Sequence, residues 1–307
     1  MKNFLNNCII VMLLSSLFGC NDRIQQADTY RSEPIQVTVQ VNDMTKAGYD
    51  ESNLPETFMM DIHQGGATKY DYSLIQMKMI GSSNGYSSDY QLLWASDSRT
   101  GIDVKAMTLP YGADTIDPVN TIAISVNPDQ SIERNLIDCD VLVATNDVDG
   151  GITISQDQVN ITFGHLLSKF DVEYTIASSL QDSDIIIRSI TLNNVCVQGG
   201  YSYANMSFDG SFPKDNGDII MYHDAENCKF EAIFFPYVPS ENPTLTIIAA
   251  IDGEDYILES PVAPKDNSGF MSGKKYNISI MLTNSAKQRL SSGIGYRCVT
   301  SEVNESL

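Results

Sequence analysis

Phe170-Asp171-Val172-Glu173-Tyr174-Thr175-Ile176 sets an apolar residue at every second position, with Asp171, Glu173 and Thr175 between them. Successive side chains of an extended strand point to opposite faces, so this period of two predicts a strand with one buried face. The pattern recurs in Ile35, Val37, Val39 and Val41, in Ile75, Met77 and Met79, and in Val159, Ile161 and Phe163. It returns in Leu245, Ile247, Ala249 and Ile251 and in Tyr276, Ile278, Ile280 and Leu282. Turn-forming clusters at 81–85, 147–151 and 266–269 separate the stretches, and no long segment keeps a 3.6-residue apolar period. Many short half-buried antiparallel strands, with few and short helices, predict an all-β sandwich architecture.

Length and the ends of the chain divide this material. A chain of 307 residues exceeds one ordinary core, so two tandem β-sandwich domains are expected, at 35–157 and 158–286, with the seam after the Gly-rich turn Gly150-Gly151. Residues 287–307 read as a polar tail with one strand candidate, Tyr296 to Val303. Residues 1–19 have the form of a lipoprotein signal peptide: Lys2, an apolar run from Phe4 to Leu14, then Leu17-Phe18-Gly19 before Cys20, whose thiol is the expected lipidation site. The apolar stretch from Ile9 to Phe18 is too short for a hydrocarbon core of about 30 Å, which takes ~20 residues. Residues 20–34 read as a flexible leader containing Arg23 and Arg31. The expected location is the outer membrane, lipid-anchored and facing outward.

Composition excludes several classes of function. With 39 acidic against 19 basic residues the net charge is -20, which argues against nucleic acid and anionic lipid surfaces as partners. His63, His165 and His223 stand too far apart to spell a metal site, and no metal or cofactor is expected. Asp147, Asp149 and Gly150 resemble a calcium loop, but that register puts Thr145 first and Gln156 last, which fits a plain turn. No nucleophile elbow, phosphate loop or dinucleotide fingerprint occurs, so no catalytic residue is assigned and the chain is not expected to be an enzyme. Cys139, Cys196, Cys228 and Cys298 lack C-x-x-C spacing; disulfides and free thiols both stay open. Among fifteen tyrosines, Tyr201 and Tyr203 beside Gly199-Gly200, or Tyr86 and Tyr90 around Ser87-Ser88, are candidates for a binding surface, or else pack their rings within strands.

Three stretches carry a family resemblance. Phe163-Gly164-His165-Leu166-Leu167-Ser168-Lys169-Phe170-Asp171-Val172 resembles the F-x-H-x-L-[AS]-K-x-x-V signature of the fimbrillin family of Bacteroidales lipoproteins, the subunits of type V pili. Asp138-Cys139-Asp140-Val141-Leu142-Val143-Ala144 is similar to that family's D-x-L-[VY]-A strand, and Met271 to Ile280 to its late G-K-x-Y strand. The resemblance implies two transthyretin-like β-sandwiches in tandem, and partnership with other pilus subunits through a donated C-terminal strand. Here that strand would carry Tyr296, Val299 and Val303. It further implies cleavage by an arginine-specific protease, for which Arg31 is the leading site; a cut there leaves the Ile35–Val41 strand in place. Asp114-Thr115-Ile116 resembles an O-glycosylation acceptor at Thr115, while His165 and Lys169 are expected to be structural. The expected function is a structural, tip or anchor subunit of a pilus active in cell adhesion, touching host or bacterial surface proteins or glycans. The alternative is a stand-alone glycan- or protein-binding surface lipoprotein.

Overall fold

The computed structural model describes residues 33–306 apart from 43–47, 66–69, 96–98, 147–150, 156, 227, 263–268 and 286–294. Its first sheet contains β1 (Gln36–Val41), β2 (Thr57–Gln64), β3 (Tyr72–Met79), β4 (Gly85–Ser87), β5 (Ile102–Met107), β7 (Leu142–Thr145), β8 (Ile152–Ile154) and β9 (Gln158–His165). They lie in the order β1-β4-β3-β2-β5-β7-β9-β8, and β9 also pairs with β1, so the sheet closes on itself like a barrel. Closure follows from matched alternation. Val37, Val39 and Val41 stand opposite Val159, Ile161 and Phe163 in register, and all six turn inward with Phe58 and Trp94.

The remaining strands form two facing sheets. One runs β14 (Tyr222–Asp224), β15 (Lys229–Phe234), β10 (Ser168–Ile176), β18 (Lys275–Ser285), β19 (Gly295–Ser306). The other runs β12 (Ser207–Asp209), β11 (Ile185–Ser202), β16 (Thr244–Ile251), β17 (Glu254–Pro261), with β6 (Thr121–Ser125) and β13 (Asp215–Ile220) also paired to the long β11. Phe170, Val172, Ile278 and Ile280 from the first sheet share a core with Ile190, Leu192, Leu245 and Ile247 from the second. The quoted stretch is therefore a strand whose apolar stripe begins in that core; Ile176, at its far end, is exposed. One short α-helix is described, α1 (Glu133–Cys139), which buries Leu136 and Cys139.

The all-β expectation holds, with two differences in how strands combine. First, β1–β9 and β10–β18 are parallel pairs; alternation reports a buried face and is blind to strand direction. Second, a cut at residue 157 does not fall between sheets. β9 belongs to the barrel, while Ile116, Ile124, Val126, Leu136 and Val141 pack into the sandwich core and β6 pairs with β11. The chain leaves the barrel after β5, contributes to the sandwich, and returns at β7.

Phe170 anchors the sandwich core. Its ring stacks on Phe234 at 4.6 Å between centroids and meets Phe270 edge-on at 5.1 Å. Truncating a fully packed aromatic loses transfer energy and leaves a cavity. Phe170→Ala is expected to cost about 3–5 kcal/mol in urea unfolding; a loss under ~1 kcal/mol would show that the ring is not part of a fixed core.

Candidate functional site

The three motifs meet where the chain passes from barrel to sandwich. Asp140 caps the C-terminus of α1, its N–H bonded to the Ile137 carbonyl at 2.9 Å, and so turns the chain into β7. Its carboxylate lies 2.9 Å from His165 Nδ1 through Oδ1 and accepts the Tyr49 N–H at 2.9 Å through Oδ2. His165 Nε2 lies 2.9 Å from the Asn42 carbonyl. Both side chains are 3% exposed. Gly48 permits this approach: its φ is +121°, and a Cβ there would stand 2.6 Å from Asp140 Oδ2.

Both nitrogens of His165 face oxygens that act as acceptors, the Asp140 carboxylate and the Asn42 carbonyl, an arrangement that the doubly protonated imidazole satisfies on both sides. Burial pulls its pKa down, but the Asp140 carboxylate and the hydrogen bonds to Asp140 and Asn42 outweigh burial and leave it raised. Tyr49 is pushed up to about 12, by burial first and by Asp140 second.

The third motif clips the crossing itself. Ser272 Oγ donates to the Leu166 carbonyl at 2.7 Å, the Gly273 N–H to that of Leu167 at 3.1 Å, and Ser168 Oγ to that of Met271 at 2.8 Å. Gly273 has φ +67°, and a Cβ would lie 3.0 Å from the His165 carbonyl oxygen.

Next to the clip, in the first half of β10, the polar residues Lys169 and Asp171 are buried along with the apolar Phe170 and Val172. Lys169, 1% exposed, places Nζ 3.1 Å from Glu231 Oε1 and 3.4 Å from Asp171 Oδ1. Lys229 also reaches Glu231 and lies 3.4 Å from Asp171 Oδ2, which Lys275 approaches at 3.5 Å. Register explains the convergence: Asp171 faces Glu231 across β10–β15, and Lys169 faces Lys275 across β10–β18. Burial raises the Glu231 pKa, against the pull of Lys169 and Lys229. Three ammonium groups thus converge on two carboxylates, with none of the five side chains more than 14% exposed.

The other expected sites scatter. Tyr201 and Tyr203 are 1% exposed and Tyr86 4%, so they pack rings rather than form a surface. Tyr203 OH donates to the Lys105 carbonyl at 3.3 Å and Tyr86 OH to that of Pro55 at 2.6 Å. Gly199 and Gly200 are small because a Cβ on either would stand 2.3 Å from the Phe235 or Phe212 side chain. Tyr90 alone of the four is exposed. His63 pairs with Asp71 at 2.8 Å, and His223 stacks on Phe230 at 4.3 Å. Among the described residues no His, Cys, Asp and Glu group suits a metal ion. Cys139, Cys196 and Cys228 are free thiols; burial pushes Cys139 up to about 12 and raises Cys196, so neither is a ready nucleophile. Thr115 is exposed on a loop pinned by buried Ile116. Cys20, Arg31 and the 147–150 turn lie outside the described residues, as do the side chains of Tyr296, Cys298, Val299 and Val303.

Sequence reasoning placed His165 and Lys169 as structural but missed their partners. Asp140 lay within a quoted motif. Glu231 carried a readable signal, a lone charge in the apolar run Phe230-Glu231-Ala232-Ile233-Phe234-Phe235.

A closed barrel and a sandwich, joined by a crossing whose buried charged groups pair with one another, define an all-β protein. The fimbrillin-like family profile matches residues 37–295, and the chain belongs to that family, whose members are structural rather than enzymatic. Solved structures share the fold. A candidate cell adhesion protein from Bacteroides uniformis aligns with TM-score 0.58 and 17% identity, over 89% of this chain and 98% of its own. One from Bacteroides ovatus gives TM-score 0.58 and 13% identity, over 91% and 99%. The tip fimbrial protein Mfa3 of Porphyromonas gingivalis, with a C-terminal truncation, aligns more loosely, at TM-score 0.48 and 11% identity over 87% and 99%. No curated protein matches the chain significantly.

Removing one member of a buried ion cluster strands the rest. Lys169→Met is expected to cost about 3–5 kcal/mol at neutral pH. The cost should shrink in acid: Glu231, raised by burial, would hold its proton in the folded state to a higher pH than when unfolded, so stability returns as pH falls through that folded value. Urea midpoints measured across pH check this; a loss independent of pH would assign it to packing alone.

Proposed function

We propose that the chain is a cell-surface pilus subunit or pilus-associated adhesion protein, tethered through Cys20 and joined to neighbouring subunits by exchange of its last strand. Membership in the fimbrillin-like family supports the fimbrial role, and the candidate adhesion roles of the B. uniformis and B. ovatus proteins agree with it.

The observation that carries the finer reading is the position of β19. It begins at Gly295, where the family match ends, and forms the outer edge of its sheet, antiparallel to β18 from Ser285↔Gly295 to Lys275↔Ser306. Lifting β19 away would leave unpaired backbone along β18, the acceptor edge that strand addition requires. One displacement therefore creates a donor and an acceptor on the same molecule, the condition for exchange between identical copies. By contrast β1 is paired on both sides, to β4 and β9, and a cut after Arg31 would leave it seated. Thr115, exposed on its loop, stays the proposed glycosylation acceptor.

Met281 and Val299 are register partners across β18–β19. With Cys228→Ser and Cys298→Ser removing competing thiols, the pair Met281→Cys and Val299→Cys is expected to give an oxidation-dependent ladder of covalent multimers from surface-harvested material. A single monomer band, with the crosslink formed within each chain, would overturn strand exchange at this edge.

A further inference from the structure

We propose that His165 and Asp140 form a proton-operated clasp that fastens the C-terminal end of β1 to the barrel, shut while the imidazole is doubly protonated and released when it loses a proton. This rests on the geometry of the pair and is independent of the pilus reading.

β1 and β9 run in parallel register from Gln36↔Gln158 to Val41↔Phe163, and the Asn42 N–H adds a bond to the Phe163 carbonyl at 2.8 Å. Beyond that ladder His165 Nε2 lies on the Asn42 carbonyl, and the Tyr49 N–H is held by Asp140 Oδ2. The pair thus grips the chain on both sides of 43–48. A neutral imidazole has one N–H and one lone pair. In either tautomer the lone pair would face an oxygen, the Asn42 carbonyl or Asp140 Oδ1, at a buried site where that repulsion is weakly screened.

The charged groups facing the clasp fix its direction. Asp140 favours the proton on His165, and Lys169, one strand on, opposes it. Tyr49, on the far side of Asp140, is itself surrounded by Asp138, Arg134 and Glu56. The net raised pKa of His165 means that the folded state holds this proton above the ordinary histidine range of about 6.5. The clasp's contribution to stability is therefore full below the unfolded value and is lost as pH rises through the folded one. Protons have a route. β7 and β9 are paired only at Leu142↔His165 and Val143↔Gly164, and a partly open cavity of about 430 Å³ lies there, lined by Asn42, Thr145, Thr162, His165, Tyr201 and Met206.

The test uses the intact mature chain, first unsubstituted and then with single changes. Ring-nitrogen NMR shifts of His165 are followed from acid to alkaline pH, together with amide exchange at Asn42 and Tyr49, corrected for intrinsic base catalysis. We expect two protonated ring nitrogens at neutral pH. Protection at Tyr49 and Asn42 should fall at least tenfold through the His165 titration, while the Ile278 amide in β18 keeps its own. His63→Ala, which removes an exposed imidazole, should leave this profile unchanged; His165→Gln, if it folds, should abolish the pH step. A single neutral tautomer at neutral pH, or protection that does not follow the titration, would overturn the clasp.

Discussion

Everything in this fold turns on burying charge where the chain crosses from barrel to sandwich. Buried ions lose hydration worth several kcal/mol each, so they persist only when geometry returns most of it. Here opposite charges are brought together twice, at Asp140–His165 and again at Lys169, Asp171, Glu231, Lys229 and Lys275, and at Glu231 burial still outweighs the partners. A hydrophobic crossing would hold as well but would tolerate neighbouring registers. A slip of one residue along β10 would carry Lys169 and Asp171 into the apolar core and Phe170 out of it. The charges therefore specify the register in which the three motifs meet.

This placement also divides the molecule by role. The groups most suggestive of chemistry in the sequence, His165, Lys169 and the tyrosines Tyr201 and Tyr203, are buried and bonded inside. What faces outward is backbone and edge. β19 and β17 end their sheets, and Ile257, on β17, is 73% exposed.

The legible and illegible parts of the sequence separate along physical lines. Burial of one strand face leaves a direct mark, and Phe170-Val172 or Val37-Val39-Val41 could be read at once. Partnership leaves none: nothing in Gln158–His165 says that it runs parallel to β1, and nothing in Thr121–Ser125 announces pairing with β11, some seventy residues on. The tyrosines misled for a related reason, because proximity to glycine reads as a turn. Gly199 and Gly200 lie within the paired last part of β11 and are glycine to admit Phe235 and Phe212. At the crossing, motif resemblance marked His165 and Lys169, but Asp140 and Glu231 sit 25 and 62 residues away from them in the chain, and only folding brings them together.

The central claim is that this buried crossing makes barrel and sandwich one cooperative unit. The single tryptophan, Trp94, lies fully buried in the barrel core, with the Arg99 guanidinium 4.2 Å from its ring centroid, so its fluorescence reports the barrel alone. Among the buried tyrosines, Tyr201, Tyr203, Tyr237 and Tyr276 belong to the sandwich and Tyr86 to the barrel. Urea unfolding followed by Trp94 emission and, in the same samples, by near-ultraviolet circular dichroism of tyrosine should give coincident transitions. Two separated transitions, with the Trp94 signal lost while the sandwich signal persists, would contradict the account.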